Sequence, residues 1–278
     1  ALGYAALSAN CGDQNTALGA QSLFNNTSSN NTGVGFAAGF ALQGGTQNVL
    51  VGSRCGLALA GGDGNVAVGY EALTTEDGNG NSVAIGRQAL TRQNAGAESY
   101  NVAVGSGAGF NVTTGIHNTL IGGAAGDALT VGVRNVAVGY AALSQDDVGS
   151  RSTAIGYQAL NAQNFSTATN SDNVAVGYEA GVVVNTGQAS TLIGSSAGGS
   201  LTTGDDNVAL GAFALASDSF GGHTVAIGKN ALFTQELASG ADSHNVAVGY
   251  HAGLIITSGE NNVLVGALTG DAFTTGSR

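Results

Sequence analysis

A motif that recurs at an almost fixed interval constrains this chain more than any other feature. One copy, residues 65–73, has the sequence NVAVGYEAL. Sixteen copies align on the glycine, and neighbouring glycines are mostly 17 residues apart, with extremes of 16 and 21. Such a period predicts stacked repeats that bury their apolar faces against one another. Positions are numbered from this motif glycine, so that Asn65 lies at position −4 and Leu73 at position +4.

The motif glycine and position −4 predict turns. The glycine is invariant within the chain, which indicates a positive φ or a close approach of two backbones. Position −4 is always Asn, Ser or Thr, whose side chains begin turns and form hydrogen-bonded ladders when stacked in register. The predicted turn glycines include Gly52, Gly69, Gly86, Gly105, Gly122, Gly139, Gly156, Gly177, Gly194, Gly211, Gly228, Gly249 and Gly266. The predicted ladder includes Asn48, Asn65, Asn101, Asn118, Asn135, Asn173, Asn207, Asn245 and Asn262.

Positions −3 to −1 predict a short strand. Val or Thr at position −3 and an aliphatic residue at position −1 alternate with a small residue, usually Ala, at position −2, and this period of two is typical of β-strands. We expect the branched side chains, such as Val66 and Val68, to face a core. We expect the Ala side, such as Ala67, to face something that approaches closely, which favours packing against other chains in a homotrimer.

The copies fall into units of four. Position +4 is Leu, Leu, Gly, Gly four times in succession, which defines Leu-type and Gly-type rungs. Position −2 becomes Leu once per unit, at Leu50, Leu120, Leu192 and Leu264. In the Gly-type rungs, segments such as residues 110–114 and 254–258 predict a second strand. The longest loops, residues 91–100, 161–172 and 233–244, also recur once per unit, and the first unit has a shorter counterpart at residues 24–30.

These patterns predict an all-β fold, a parallel β-solenoid or β-roll of about 16 rungs with roughly 17 residues each and a four-rung super-repeat. We expect residues 1–278 to form a single continuous array. The chain begins inside a motif, and its first residue is not Met. We therefore expect it to be a segment of a longer fibre.

Composition excludes several classes of protein. Gly amounts to 47 residues but Pro is absent, which excludes collagen. A net charge of −11 argues against a nucleic-acid or anionic-membrane partner, and no apolar run is long enough for membrane insertion. Cys11 and Cys55 lie three rungs apart, roughly 14 Å, which is too far for a disulfide.

Residues 81–86, with the sequence NSVAIG, resemble the repeat of YadA-like heads in trimeric autotransporter adhesins. The form NVAVGYxAL is still more similar to head-repeat arrays in phage and bacterial tail-fibre-like proteins. The resemblance covers essentially the whole chain, although the family's coils are usually a little shorter than these rungs. It implies a left-handed, trimeric β-roll that is extracellular, on a cell surface, filament or virion tail. The implied partners are other copies of the chain and a glycan or cell-surface receptor.

Three classes of function remain. The first is a structural, adhesive fibre segment, a rigid rod that displays loops for attachment to cells, surfaces or glycans. The second is an ice- or surface-binding β-solenoid, and a structural subunit of an extracellular filament is a further alternative to the first class. The third class, a polysaccharide-cleaving solenoid enzyme, needs clustered carboxylates or a basic groove, and the chain has only seven Lys and Arg. We therefore expect no enzyme activity and no catalytic residues.

Ligand sites are weakly indicated. Acidic turns offer oxygen ligands for a structural Ca²⁺, but the acids do not occupy one column, and we expect no cofactor. These turns are residues 62–65, 76–79, 146–147, 205–206 and 259–261. The four histidines, His117, His223, His244 and His251, show no paired spacing.

A tyrosine follows the motif glycine in several copies, as at Tyr70 and Tyr140. Such a stripe either stacks on glycans or shields the turn, since tyrosine combines an apolar ring with a polar tip.

Overall fold

The structure is a computed structural model that describes residues 1–78, 80–238 and 240–276. It is all-β, and none of the described residues lies in a helix. The chain forms a parallel β-solenoid of about 15 turns with about 17 residues per turn, as the motif period predicts. Left-handedness and trimerisation stay predictions.

Two compact units make up the chain, residues 1–135 and 136–278. Every motif copy except the first forms one three-residue strand at positions −3 to −1. In the first unit these strands are β1 (Thr16–Leu18), β2 (Thr32–Val34), β3 (Val49–Val51), β4 (Val66–Val68), β5 (Val83–Ile85), β6 (Val102–Val104) and β7 (Thr119–Ile121). The first copy contributes only an isolated bridge between Leu2 and Leu18.

In the second unit the motif strands are β8 (Val136–Val138), β10 (Thr153–Ile155), β12 (Val174–Val176), β13 (Thr191–Ile193), β14 (Val208–Leu210), β15 (Val225–Ile227), β16 (Val246–Val248) and β17 (Val263–Val265). Two further two-residue strands, β9 (Gly149–Ser150) and β11 (Thr169–Asn170), pair with each other. Within each unit, consecutive motif strands pair in parallel with equal motif positions opposite one another, as in Ala154 opposite Ala137. Equal residues therefore form straight columns across the rungs.

The two sides of the motif strands are reversed relative to the sequence prediction. Ala67 at position −2 is fully buried, whereas Val66 and Val68 on either side of it are only half-buried and face outward. The same pattern holds in every motif strand except β17, where the middle residue is half-buried. The interior of so short a coil is narrow and is already filled by Ala72 and Leu73, both fully buried, so that only a small residue fits at position −2.

Packing explains why Leu appears at position −2 only in the second Gly-type rung. A Cβ on Gly39 would lie 2.6 Å from Leu50 Cδ1, and a Cβ on Gly56 would lie 2.9 Å from Leu50 Cδ2. One leucine thus fills the space that two glycines at position +4 leave open. The same relation to the two glycines at position +4 holds in the other three four-rung units, for Leu120, Leu192 and Leu264.

The predicted second strand of the Gly-type rungs is wrong. Residues 110–114 and 254–258 form turns and bends, closed by bonds such as the one from Val112 N–H to Gly109 O at 3.0 Å. Position +4 adopts a positive φ, 58° at Gly109 and 63° at Gly253, so the chain turns there instead of continuing in an extended conformation. The extra pairing of β9 with β11 occurs in loops of Leu-type rungs instead.

Candidate functional site

The outward side chains of the motif strands form an apolar surface in each unit, which we call the aliphatic face. It consists of positions −3 and −1, where every residue is Val, Ile, Leu or Thr and none is charged. Several of its members are more than one-third exposed, including Val49 (39%), Ile85 (38%), Ile155 (37%) and Leu210 (43%). In-register pairing places these side chains in two parallel columns, as in Val66 opposite Val83 and Val68 opposite Ile85.

The size of the aliphatic face is substantial for a surface exposed to water. Seven strands about 4.8 Å apart extend about 29 Å, and two columns of side chains are about 10 Å wide, so the first unit presents about 300 Å². The second unit, with eight strands, presents slightly more. The largest apolar patch on a typical monomer is also about 300–600 Å² and is often functional, so the aliphatic face is a candidate interaction surface.

The predicted ladder residues are buried and connect successive rungs. Asn118 donates its backbone N–H to Asn101 Oδ1 (2.8 Å), and its own Oδ1 accepts the backbone N–H of Asn135 (2.9 Å). Its Nδ2 donates to Gly132 O (2.9 Å). Full burial is shared by Asn48, Asn65, Asn101, Asn118, Asn135, Asn173, Asn207 and Asn245, and Asn262 is 7% exposed. One side chain thus satisfies buried backbone groups that would otherwise have no partner.

The predicted turn glycines share one backbone conformation, with φ between 124° and 144° from Gly52 to Gly266. At Gly69, where φ is 133°, a Cβ would also lie 2.5 Å from the carbonyl oxygen of Gly86. Positive φ and close backbone approach are therefore both present at this position. These glycines therefore have a structural role in the turns.

Buried polar clusters recur in the Leu-type rungs at position +7, which the sequence analysis did not use. Gln93 Nε2 lies 2.9 Å from Glu76 Oε2 and 2.9 Å from Ser99 Oγ, while Gln93 Oε1 accepts from Asn101 Nδ2 (2.8 Å). The same pairing joins Gln163 to Asp146 (2.6 Å). In the Gly-type rungs position +7 is apolar instead, for example Leu42 and Leu129. An acid or Gln at position +7, always paired with Leu at position +4, is the signal that would have found these clusters.

The carboxylate of Asp146 illustrates the cost of such a cluster. Burial raises the pKa of Asp146 above its usual 3.8, although its hydrogen bonds with Gln163 and the Gly149 N–H act in the opposite direction. Because every polar atom of this set lies inside the coil, the clusters hold rungs together and offer no access to a substrate.

Rings of the tyrosine stripe stack on one another. Tyr140 and Tyr157 stack with ring centroids 5.7 Å apart, and Tyr157 and Tyr178 stack at 5.3 Å. The three side chains are 43–58% exposed. A sugar stacks on the face of an aromatic ring, and here the neighbouring tyrosines occupy the faces of the central ring, so the arrangement favours shielding of the turns.

The acidic turns proposed for Ca²⁺ mostly bond to neighbouring rungs. Asp63 Oδ1 accepts hydrogen bonds from Thr46 N–H (2.6 Å) and Thr46 Oγ1 (2.9 Å), and Asp205 Oδ1 accepts one from Gln188 N–H (2.7 Å). The turn at 76–79 includes Asn79, which lies outside the described residues.

The structure brings two of the four histidines together, which the spacing in sequence did not predict. His223 and His244 stack with ring centroids 5.3 Å apart, whereas His117 stacks on Tyr100 at 5.8 Å. A hydrogen bond to Asp242 raises the pKa of His223 above its usual 6.5, and the charges of nearby aspartates act in the same direction. The two histidines meet because both lie at position −5 of successive rungs, and the 21-residue spacing of those rungs hid the relation.

In comparisons with known proteins, no family model matches this chain, and neither does any curated protein or any solved structure. Among the described residues, no helix is long and apolar enough to cross a membrane. The aliphatic face and the loops are therefore the features from which a function has to be argued.

Proposed function

We propose that this chain is a structural, adhesive fibre segment that associates with two further copies of itself through the aliphatic face. The observation that carries the proposal is the exposure of uncharged, mainly branched side chains in two columns on each unit. Ile85 in the first unit is 38% exposed, and Ile155 in the second unit is 37% exposed. The likeness of the repeat to YadA-like heads and tail-fibre-like arrays supports a trimer and an extracellular location.

The chemistry of the face fits a second copy of the same chain. A second copy carries the same branched side chains with the same spacing from strand to strand. The side chains of one copy can therefore pack between those of the other along the columns. None of the acidic residues that give the net charge of −11 belongs to the aliphatic face, and most of them lie outside the buried interior, where they repel like charges on another copy. Association therefore favours the aliphatic face, which lacks charge.

Oligomeric state tests this proposal directly. We expect the purified chain to have the mass of a trimer in light scattering after gel filtration, at micromolar concentration. The variant Ile85→Asp/Ile155→Asp introduces a charge into the face of each unit and is expected to be monomeric with an unchanged circular dichroism spectrum. The matched control is Ala97→Asp/Ala168→Asp, which adds the same two charges at exposed loop positions and is expected to stay trimeric.

Two outcomes separate the parts of the proposal. A stable monomer of the unaltered chain contradicts association through this face. A different oligomer that Ile85→Asp/Ile155→Asp dissociates contradicts the number of copies but keeps the face as the interface.

Adhesion is tested through the loops. Shortening residues 161–172 and 233–244 by four residues each restores a 17-residue spacing to both rungs. We expect the unaltered, labelled chain to bind cells or glycan arrays and the shortened variant to bind neither, with an unchanged number of copies in the oligomer. Equal binding by both chains contradicts attachment through these loops.

Ice binding is the alternative that the same face raises, since flat, regular β-surfaces suit it. Thr occupies position −3 in only five strands, β1, β2, β7, β10 and β13, and never position −1. The face is therefore mainly aliphatic, which favours a protein partner, and a thermal-hysteresis assay decides between the two.

A further inference from the structure

His223, Asp242 and His244 form a cluster on the surface of the second unit, which we call the His–Asp cluster. His223 Nδ1 lies 2.9 Å from Asp242 Oδ1. One potential ligand atom from each of the three side chains lies within 4.8 Å of the other two. All three residues are exposed, and none belongs to the aliphatic face.

The backbone holds the cluster in place. Gly222 and Asp242 form an isolated parallel bridge, in which Ser243 N–H donates to Gly222 O at 3.0 Å. On the other side, His223 N–H donates to Asp205 O at 3.0 Å. Three successive rungs therefore fix the Cα positions from which the side chains of the cluster project.

A small depression adjoins the cluster. It has a volume of about 170 Å³, and its lining includes Asp205, Asp206, His223 and Asp242. Asp206 Oδ2 lies 3.7 Å from His223 Nε2. An additional carboxylate is thus close enough to attract a cation or to ligate it through water.

We propose that the His–Asp cluster binds one divalent transition-metal ion, with Zn²⁺ as the preferred occupant. Two imidazoles and one carboxylate are ligands that zinc favours, whereas Ca²⁺ and Mg²⁺ require oxygen ligands almost entirely. A zinc ion with ligands at about 2.0–2.1 Å needs ligand atoms about 3.4 Å apart. Rotation of the exposed side chains closes the present separation of up to 4.8 Å. The fourth position is left for water or Asp206.

The same place in another four-rung unit carries a different set of side chains. There Arg151 and Asp172 occupy position −5 of successive rungs, with Arg151 Nη1 at 3.8 Å from Asp172 Oδ1, and Asn170 stands where Asp242 does. The backbone pairing is equivalent, since Ser171 N–H donates to Ser150 O at 3.0 Å. The choice of side chains, and not the fold alone, therefore makes the His–Asp cluster a metal site.

Titration calorimetry of the full chain with ZnCl₂ at pH 7.5 tests the proposal. We expect one zinc per chain, and at least about a tenfold loss of affinity in His223→Ala and in His244→Ala. His117→Ala is the matched control, because His117 also lies at position −5 but stacks on Tyr100 instead of a histidine, and it is expected to bind like the unaltered chain. CaCl₂ at the same concentrations is expected to lower the apparent affinity for zinc less than tenfold.

The zinc titration overturns the proposal if the double variant His223→Ala/His244→Ala binds as tightly as the unaltered chain, since the acidic surface then holds the ion. An unaltered chain that binds no zinc below millimolar concentration overturns it as well.

Transplanting the cluster gives a second, independent test. The variant Arg151→His/Asn170→Asp/Asp172→His places the same three side chains in the equivalent position of the neighbouring four-rung unit. We expect two zinc ions per chain. A stoichiometry that stays at one, in a variant with an unchanged circular dichroism spectrum, contradicts the assignment of this geometry as sufficient for binding.

Discussion

Leu50 and Gly56 allow the Leu-Leu-Gly-Gly rule to be tested as a rule of packing. Leu50 is fully buried. The three heavy atoms nearest to a Cβ on Gly56 all belong to Leu50, at 2.9, 3.2 and 3.6 Å. If one leucine fills the space of two glycines, Leu50→Ala and Gly56→Ala have to compensate each other in part.

The single substitutions are expected to cost different amounts. Leu50→Ala costs about 4 kcal/mol, toward the upper end of the range for buried leucines, because Gly39 and Gly56 have no side chains that move into the cavity. Gly56→Ala costs about 2 kcal/mol, of which about 1 kcal/mol comes from the positive φ and about 1 kcal/mol from overpacking. Leu73 adopts a φ of 51° at the same motif position, close to the 53° of Gly56, so the backbone accepts a side chain there.

In the double variant the overpacking disappears, and the new methyl group occupies part of the cavity. We therefore expect a cost of about 4 kcal/mol in place of the additive value of about 6 kcal/mol, a coupling of about 2 kcal/mol between the two sites. The reasoning is refuted if the double variant loses the sum of the two single losses to within about 0.5 kcal/mol.

Urea unfolding followed by circular dichroism measures these changes, since the chain has no Trp for fluorescence. All variants are compared at one protein concentration, because the proposed association would make the free energy of unfolding depend on that concentration. Gly44→Ala is the control: no atom lies within 4 Å of a Cβ built on Gly44, so a change within about 0.5 kcal/mol is expected. Equal m-values across the series are required before the free energies are compared.

Three further predictions concern the ladder, the turn glycine and the thiols. Asn118→Ala leaves buried partners of its side chain unpaired and is expected to cost about 2–4 kcal/mol in urea unfolding. Gly69→Ala forces a Cβ to within 2.5 Å of a backbone oxygen and is expected to abolish soluble, folded protein. In contrast, a Cβ on Gly61 has no atom of another described residue beyond its chain neighbours within 4 Å, and Gly61→Ala is expected to express normally. Burial raises the pKa of the Cys55 thiol to about 12, so a thiol reagent at pH 8 is expected to modify only the exposed Cys11 in the folded chain. After denaturation the reagent is expected to modify both cysteines. Rapid reaction of two thiols in the folded chain contradicts the burial of Cys55.

The strands and their register follow directly from the sequence, but the direction of their side chains does not. The alternation of Val66, Ala67 and Val68 shows that the two sides of the strand differ, but it does not show which side faces the interior of the coil. Bulk suggested that valine was inside, whereas the coil is so narrow that Leu73 fills it and only alanine fits beside Leu73. Residue size indicates the inner side of a strand only when the volume of the interior is known.

The His–Asp cluster was not predicted, because a loop of unusual length separates its two histidines in the sequence. His223 and His244 are 21 residues apart, while most equivalent residues are 17 apart. Alignment on the motif glycine places both at position −5, and columns in this fold are neighbours in space. A comparison of complete columns, including those in loops, would have placed the two histidines together.

The polarity of this solenoid differs in two respects from that of an isolated globular protein. Carboxylates such as Asp146 and Asp218 are fully buried in the coil, while branched side chains such as Ile85 face outward. At about 25 cal/mol per Å², the roughly 300 Å² of aliphatic face in the first unit represents up to about 7 kcal/mol that burial against another surface would add. We infer that the proposed association adds to the stability that the core of each coil supplies, and the Ile85→Asp/Ile155→Asp variant should therefore unfold at lower urea concentration than its loop control Ala97→Asp/Ala168→Asp.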